Sequence, residues 1–477
     1  MNNTDIVWDL VDRRKHLYEK LSDDVWAVPE IQYEEYESVA LHAKLLREEG
    51  FRVSEGYGGI PTAVMGEAGT GGPIIAILGE YDALPNLSQE AGVTHPAPIV
   101  KGGHGHGCGH NMLGSASLLA AAAIKEWLEK TGTPGRVRYY GCPAEEGGAA
   151  KVFMVRDGYF DDVDIAITWH PSGTTRVDCQ NYLASTLIDF TFTGRAAHAA
   201  SVPHLGRSAL DALELMNVGV NFLREHMPSD ARIHYAILDG GGIAPNVVQA
   251  KATVRYSVRS RDLPQMRELV NRVRKVAEGA AIMTETSVTD HVVSGTSNML
   301  HNTPLKAVMF NNFDRLGPVP FDEADRALAA QFQATLTADD IRVEYGRVGM
   351  RPKKDTPLCD FIVPNDPIGD PVTGSTDVGD VSWKVPTIQA RVATYAIGTP
   401  PHTWQVVAQG KAGAAHKAIA YAAKVMAGTA RDLLLDPSLI EKAKSDHRER
   451  TEDEPYVSPM PAENGPSIKP PSKEQAA

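Results

Sequence analysis

The sequence predicts an α/β protein into which a smaller α+β domain is inserted. Over the first 170 residues, short apolar strands alternate with helices, which is typical of a sheet covered by helices on both faces. Between residues 185 and 298 the order is strand, helix, strand, strand, helix, strand, as in a ferredoxin-like domain. The α/β pattern resumes near residue 303, so the larger domain is discontinuous in sequence.

The first part of the larger domain, residues 1–184, begins with two helices. Apolar residues at helical spacing predict a helix over 4–27 and a second over 34–50, which ends at Gly50. Strands and helices then alternate, and the strands are apolar enough to be buried on both faces. The predicted strands cover 73–79, 137–141 and 163–168, and the helices between them cover 112–130 and 149–157.

The inserted domain and the second part of the larger domain follow from the same patterns. The inserted domain, residues 185–298, has predicted strands at 185–192, 233–237, 247–258 and 286–293 and helices at 208–225 and 263–281. The remainder, residues 299–448, has a helix at 303–315, apolar strands at 386–390 and 393–397, and a helix at 408–427. Residues 449–477 hold six prolines and few large apolar side chains, so we expect a poorly ordered tail.

Composition excludes several classes of protein. The 47 Lys+Arg and 60 Asp+Glu residues give a net charge of −13, unlike the basic surface of a nucleic-acid-binding protein. No apolar run approaches the roughly 18 residues of a membrane-spanning helix, and the first residues lack the apolar core of a secretory signal. Four cysteines do not make a disulfide framework. We expect a soluble, cytoplasmic protein that binds neither nucleic acid nor a membrane.

A glycine-rich segment carries a high density of metal-binding side chains. His104, His106, Cys108 and His110 alternate with glycines, which let the backbone bend so that these side chains face one point. Thiolate and imidazole together favour zinc or another borderline transition metal. The segment follows the predicted strand at 73–79, and α/β sheets bind ligands at the carboxyl ends of their strands. The alternative is a flexible loop that binds metal only adventitiously.

Further candidates follow the ends of other predicted strands. Glu145 and Glu146 come after the strand at 137–141, where one carboxylate can bind a metal while its neighbour transfers a proton. His170 and His402 follow later strands, although a lone histidine is more often a hydrogen-bonded packing residue. The whole set offers more ligands than one tetrahedral zinc takes, which favours two metals and hydrolysis. The expected ligands are Cys108, His110, Glu146, His170 and His402.

These motifs resemble the M20 metallopeptidase/amidohydrolase family, in the branch with a Cys-Gly-His metal motif. The resemblance covers the chain to about residue 430. It rests on segments 80–85, 107–111, 143–148, 169–171, 194–199, 245–248, 375–377 and 400–404. Segments 203–211 and 375–383 additionally resemble one hydrolase within this family.

The resemblance implies a two-metal site that holds zinc or manganese. The five ligand candidates match the family's ligand positions, and Glu145 matches the general base. Asp82 matches an acid that orients a metal ligand. His198, on the inserted domain, matches a residue that stabilises the oxyanion and reaches across family dimers, and Asn246 matches a substrate-binding residue. The inserted domain is accordingly expected to act as a lid and dimerisation domain.

Two positions depart from the family pattern, and two arginines have open roles. Asn111 stands where the branch usually has aspartate, and Glu80 stands where many members have a histidine, so Glu80 is not counted as a ligand. Arg255 and Arg259 lie on one face of a predicted strand. They are candidates either for binding an anionic substrate group or for structural ion pairs.

We therefore expect an amidohydrolase that cleaves small N-acyl or N-aroyl amino acids of the p-aminobenzoyl-glutamate type by attack of a metal-activated water. A hydrolytic deaminase acting on an activated aromatic amine would use the same site. A non-catalytic partner protein is a third hypothesis, although such a protein has no need of the base Glu145. We expect a homodimer, and the alternative is a complex with a related A-type subunit.

Overall fold

The computed structural model describes residues 5–178, 181–365 and 374–468 and contains eleven named strands. They are β1 (Arg52–Glu55), β2 (Val64–Thr70), β3 (Ile74–Glu80), β4 (Gly135–Cys142), β5 (Ile165–Ser172), β6 (Arg176–Val177), β7 (Ala184–Thr193), β8 (Arg232–Asp239), β9 (Lys251–Ser260), β10 (Ser287–Thr296) and β11 (Thr387–Ala393). They form a seven-stranded sheet in the order β1-β2-β4-β3-β5-β11-β6 and a four-stranded sheet in the order β10-β7-β9-β8.

The α-helices of these ranges cover both sheets. They are α1 (Ile6–Ala27), α2 (Tyr36–Glu48), α3 (His110–Thr131), α4 (Ala150–Arg156), α5 (Ala209–Leu223), α6 (Leu263–Thr284), α7 (Thr303–Leu316), α8 (Glu323–Gln333), α9 (Ala338–Arg347), α10 (Val378–Lys384), α11 (Trp404–Gln409), α12 (Gly413–Leu435) and α13 (Pro437–Thr451).

The centre of the large sheet is parallel and buried on both faces. Strands β4, β3, β5 and β11 run parallel to one another, whereas β2 and β6 are antiparallel to their neighbours. Every residue of β3 is buried, as expected for a parallel strand between two layers of helices. Helices α1, α3 and α12 pack together over one face, where alanines in α3 and α12 permit close approach.

The four-stranded sheet is antiparallel, and its strands alternate between buried and partly exposed residues along β7 and β9. Helices α5 and α6 cover its buried face. The order β7-α5-β8-β9-α6-β10 is the one predicted, and the mixed α/β fold class is confirmed. Strand β8 lies at the edge, and most of its side chains are exposed.

Some elements differ from the prediction. The expected strand at 393–397 is absent from the described residues, because the chain leaves the sheet at Ala393 and the Ile397 N–H donates to Pro357 O in a loop (2.8 Å). Buried apolar residues do not by themselves distinguish a strand from a packed loop. The antiparallel strands β1, β2 and β6 and the helices α8, α9, α10, α11 and α13 were not predicted.

The proline-rich segment makes more specific contacts than its composition indicates. Met460 is only 4% exposed, and the Tyr456 hydroxyl donates to Asp380 Oδ1 at 2.9 Å. The Arg156 guanidinium donates to Asn464 O at 2.6 Å. A few large side chains therefore anchor the segment as far as residue 468, and the remaining predicted tail residues lie outside the described ranges. Within those ranges, no helix is both long and apolar enough to cross a membrane.

Candidate metal centre

The candidate site is built by loops at the carboxyl ends of the parallel strands. Glu80 ends β3, the turn with Glu145 and Glu146 follows β4, and His170 lies near the end of β5. The loop with His402 follows β11. Because these strands are neighbours in the sheet, side chains that are far apart in sequence meet at one edge.

The Cys108–His110 segment is held tightly at the start of α3. Gly109 has a φ of 79°, a left-handed conformation that favours glycine. A Cβ there would approach Met112 Cε to 2.7 Å and Pro171 Cγ to 3.0 Å. His110 then begins the helix, so both candidate ligands come from a turn with little freedom to move.

Cys108, His110 and His170 form one group of candidate donors. Their donor atoms all lie within 4.8 Å of one another, and Cys108 Sγ is 3.3 Å from His170 Nε2. His170 Nδ1 lies 2.8 Å from Pro171 O and can donate a hydrogen bond to it. That bond leaves the Nε2 lone pair facing Cys108, as a metal ligand requires.

Cys108, Glu146 and His402 form a second group with the same 4.8 Å limit. Glu146 Oε2 lies 3.3 Å from His402 Nε2. His402 has a φ of 60°, rare for a residue with a side chain, and its N–H donates to Gly107 O at 2.9 Å. Hydrogen bonds to Cys108 and Glu146 raise the pKa of His402 to about 10. Cys108 is common to both groups, so the two groups are adjacent.

Asp82 connects ligands of both groups. Its Oδ1 lies 2.7 Å from His110 Nδ1, and its Oδ2 accepts the Glu146 N–H at 2.9 Å. Burial opposes the charged form, but His110 holds the pKa of Asp82 below its usual value. In the described part of the chain, His110 Nε2 and Glu146 Oε1 are buried and make no hydrogen bond of regular geometry, although Glu80 Oε2 lies 3.2 Å from His110 Nε2. Such atoms suit a metal ion, because buried polar atoms otherwise have partners.

Glu80 and Glu145 lie beside these groups. Glu80, His110 and Glu145 also have donor atoms within 4.8 Å of one another, and Glu80 Oε2 is 3.2 Å from His110 Nε2. Burial and the negative charges of Glu80 and Glu146 raise the pKa of Glu145 well above its usual value. The structure thus places Glu80, which was not counted as a ligand, within reach of the centre.

A buried lysine behind Glu80 was missed by sequence reasoning. Lys151 in α4 is fully buried, and its ammonium lies 2.6 Å from Glu80 Oε1 and 2.7 Å from Asp377 Oδ1. The Lys151 N–H also donates to Asp377 Oδ2 at 3.0 Å. Lysine is normally a surface residue, so no local pattern distinguishes this one. It neutralises charge among closely spaced carboxylates.

Glu35 supports the turn that carries Glu145. Its Oε1 accepts the N–H groups of Tyr33 (3.0 Å) and Ala144 (2.9 Å), and Ala144 has a left-handed φ of 57°. The Tyr33 hydroxyl donates to Gly148 O at 2.7 Å, on the other side of the turn. Burial raises the pKa of Glu35 to about 8. The connection between α1 and α2 therefore fixes the backbone that precedes Glu145.

His198 and Asn246 lie together on the smaller α+β unit and outside the donor groups. Both side chains are exposed, and the Ala199 N–H donates to Asn246 O at 2.9 Å. His198 Nδ1 accepts the N–H groups of Ala200 and Ser201, each at 3.2 Å. Neutral His198 therefore carries its proton on Nε2, and no hydrogen bond to that nitrogen is seen among the described residues.

Two other sequence candidates have structural partners. Asn111 is buried, and its amide donates to Ser22 Oγ at 3.0 Å and to Gly410 O at 3.3 Å, which joins the start of α3 to neighbouring segments. Arg255 makes a two-pronged ion pair with Asp189 (2.7 and 2.9 Å). For Arg255 the structure favours the ion-pair alternative.

The sequence is similar to known proteins. The family model described as Peptidase family M20/M25/M40 matches residues 76–344. The chain is 44% identical over 469 residues to the B subunit of p-aminobenzoyl-glutamate hydrolase from Escherichia coli, over 96% of this chain and 98% of the relative. It is 27% identical to the Xaa-Arg dipeptidase of Mus musculus, over 92% of this chain and 90% of that relative.

A solved structure has a similar fold. The Bacillus subtilis YXEP protein, described as a dinuclear metal binding peptidase from the M20 family, aligns with a TM-score of 0.57 and 17% identity. The alignment covers 87% of this chain and 98% of that one. At this level of identity the likeness concerns the fold alone.

Proposed function

The chain belongs to peptidase family M20/M25/M40, and we propose that it is a metal-dependent amidohydrolase acting on N-acyl or N-aroyl amino acids. The observation that carries the proposal is the convergence of two donor groups, which share Cys108, beside the carboxylate of Glu145. The chain is similar over nearly its whole length to one subunit of a p-aminobenzoyl-glutamate hydrolase, so p-aminobenzoyl-glutamate is the first substrate to test. Because another relative is a dipeptidase, dipeptides are the second class of substrate to test.

We propose that the ligands of two divalent metal ions come from both donor groups. They are Cys108, His110, Glu146, His170 and His402. When bound, such ions polarise an amide carbonyl and activate a water for attack. The mixture of thiolate, imidazole and carboxylate is compatible with zinc or manganese. Because Cys108 must remain reduced to bind metal, we also propose that the protein functions in the cytoplasm.

Glu145 is the proposed general base. Its raised pKa, due to burial and to Glu80 and Glu146, makes it a better proton acceptor than an ordinary carboxylate. It would take a proton from the attacking water and deliver it to the departing amine. Asp82 would keep His110 and the Glu146 backbone in place during this exchange.

We propose that His198 donates its Nε2–H to the oxyanion and that Asn246, beside it, contacts the substrate. Both lie on the proposed inserted domain, residues 185–298, which therefore has to reach a metal centre. The exposed edge strand β8 carries Tyr235, Ile237 and Leu238 on its open surface. Self-association along this edge would cover these side chains and is our proposed dimer contact.

The molar mass of the protein in solution tests the proposed homodimer. Light scattering coupled to gel filtration is expected to give twice the monomer mass, and Ile237→Lys is expected to reduce it to the monomer mass. A wild-type monomer at micromolar concentration would contradict the homodimer. Because the relative is named as the B subunit of its hydrolase, the alternative partner is a related A-type subunit, which would then be required for activity.

Metal removal and reconstitution test the proposed chemistry. The protein is treated with a chelator, reloaded with zinc or manganese, and assayed on p-aminobenzoyl-glutamate, other N-acyl amino acids and dipeptides. We expect activity only with metal, and p-aminobenzoate plus glutamate as products; ammonia release instead would indicate a deaminase.

Variants provide the controls for this assay. Glu145→Gln is expected to bind metal but to lose activity, whereas Glu90→Gln, at an exposed glutamate that belongs to none of the donor groups, should behave as wild type. Hydrolysis of no compound in the panel after metal loading would contradict the proposal. If activity requires an A-type subunit and Glu145→Gln leaves the activity of that complex unchanged, a non-catalytic partner protein is supported instead.

A further inference from the structure

Three side chains form a row across the large sheet, starting at a candidate metal ligand. Residue His170 of β5 pairs with Arg391 of β11, and Arg391 pairs in turn with Arg176 of β6. Residues directly opposite one another on adjacent strands project from the same face. The register therefore places two guanidinium groups on the His170 side of the sheet, one and two strands away from that ligand.

The two arginines are not equally compensated. Arg391 Nε donates to Asp178 Oδ2 at 2.8 Å, and its guanidinium also contacts the Tyr182 hydroxyl. Arg176 is only 3% exposed, and in the described part of the chain no carboxylate oxygen lies within 4.0 Å of its guanidinium nitrogens. Its side-chain partners there are the hydroxyl groups of Ser172 and Thr174.

This arrangement opposes stability. Like charges directly opposite one another on a sheet repel, and a buried cation without an anionic partner is unfavourable. Hydroxyl groups solvate Arg176 but do not neutralise it. Residues that reduce stability in this way are common where a ligand is bound, because the ligand supplies the missing interaction.

A small cavity of about 50 Å³ lies in front of the pair. Its lining includes both arginines, Cys108 and His170, so it adjoins the first donor group. Arg347 and Glu344 also line it and pair with each other at 3.4 Å. Among the described residues near these three guanidinium groups, the carboxylates are those of Glu344 and Asp178, so this set carries one positive charge in excess. The volume suits a carboxylate group but not an aromatic ring.

We propose that Arg176 and Arg391 form an anion subsite that binds a carboxylate of the substrate's amino-acid portion. The inference rests on the proposed amidohydrolase function and specifies its substrates as N-acyl derivatives of acidic amino acids. Asp178 orients Arg391 through a direct ion pair, whereas Arg176 makes no direct ion pair among the described residues and interacts with Asp178 only at longer range. The subsite would hold the amino-acid end of the substrate beside the Cys108–His170 group.

The test compares a charged ligand with its uncharged isostere. L-Glutamate and L-glutamine, which the enzyme does not turn over, are titrated calorimetrically into zinc-loaded wild type, Arg176→Gln, Arg176→Lys and the exposed control Arg448→Gln. Loss of a charge-assisted contact predicts about 10- to 100-fold weaker glutamate binding in Arg176→Gln. Glutamine binding should change less than about threefold, because an uncharged amide forms weaker contacts with a guanidinium. Arg176→Lys should recover part of the affinity for glutamate.

Thermal unfolding and turnover complete the test. Arg176→Gln should unfold at the wild-type temperature or above it, because the repulsion with Arg391 is removed. The preference in kcat/KM for p-aminobenzoyl-glutamate over p-aminobenzoyl-glutamine should fall with the glutamate affinity. If Arg176→Gln lost affinity equally for glutamate and glutamine and was also less stable, the role of Arg176 would be structural and the inference would be overturned. The inference would also be overturned if the wild type bound glutamate and glutamine equally well. If the wild type hydrolyses neither substrate, the amidohydrolase proposal fails, while the titration still decides the subsite.

Discussion

The buried carboxyl group of Glu35 allows a quantitative test of how the turn before Glu145 is held. With a pKa of about 8, Glu35 keeps its proton in the folded protein at pH values where the unfolded chain, with an ordinary value near 4.5, has released it. The unfolded state then binds fewer protons, so the free energy of unfolding falls as the pH rises between these two values. The slope is about 1.4 kcal/mol per pH unit, or about 5 kcal/mol over the whole interval.

Glu35→Gln should remove this pH dependence while keeping the hydrogen bonds. The glutamine side-chain oxygen accepts the Tyr33 and Ala144 N–H groups as the carboxyl does, so at pH 5 the variant should match wild type. At pH 8 and above it should be more stable by up to about 5 kcal/mol. Glu35→Ala leaves both N–H groups without an acceptor and should cost about 1–3 kcal/mol for each at pH 5.

Urea unfolding at pH values from 5 to 9 measures these differences. A chelator is present throughout, so that pH-dependent metal binding does not contribute. Glu37→Gln, an exposed position in the neighbouring helix α2, is the matched control and should follow the wild-type curve. If Glu35→Gln retained the wild-type slope, or Glu35→Ala were as stable as wild type, the role assigned to Glu35 would be wrong.

Three further predictions concern the site and its lid. Asp82→Asn should weaken metal binding about 10- to 100-fold in a chelator competition, because it removes the charge that orients two candidate ligands; unchanged affinity would contradict that role. Lys151→Met should destabilise the protein by about 3–5 kcal/mol, because Glu80 and Asp377 lose their buried cation, and adding Asp377→Asn should recover part of this. His198→Ala should lower kcat about 100- to 1,000-fold with full metal content, and an unchanged kcat would exclude an oxyanion contact.

The sequence predicted the features that repeat or that carry unusual residue types. The apolar runs correctly predicted the parallel strands. The positions of Cys108, Glu146 and His170 after strand ends predicted the edge of the sheet at which these side chains meet. Glycine spacing around Cys108 indicated a tight turn, and Gly109 adopts the left-handed conformation that such a turn needs. These inferences succeed because each depends on local sequence and on a general rule of sheet geometry.

Apart from Asp82, the residues that support the site were not predictable in the same way. Lys151 and Asp377 form an ion pair but are far apart in sequence, and each is of a residue type that normally lies on the solvated surface. Glu35 lies in an acidic stretch that resembles an exposed loop, yet it is completely buried. Arg176 belongs to a strand of two residues, too short for any periodicity. Their roles depend on which elements become neighbours, and that is a property of the tertiary fold.

The order of strands in the large sheet also orders the charges of the site. Carboxylates concentrate after β4 and at the end of β3, histidine and cysteine donors lie at the centre near β5, and arginines lie on β11 and β6. In the proposed function, metal ions would lie between an acidic side, which accepts protons, and a basic side, which attracts carboxylates. A substrate with an acidic amino acid then has one favourable orientation, because the reverse orientation would place its carboxylate against Glu145 and Glu80. On this reasoning a neutral substrate should bind more weakly and should also bind in more than one orientation. The weaker binding raises KM, and the unproductive orientations lower kcat.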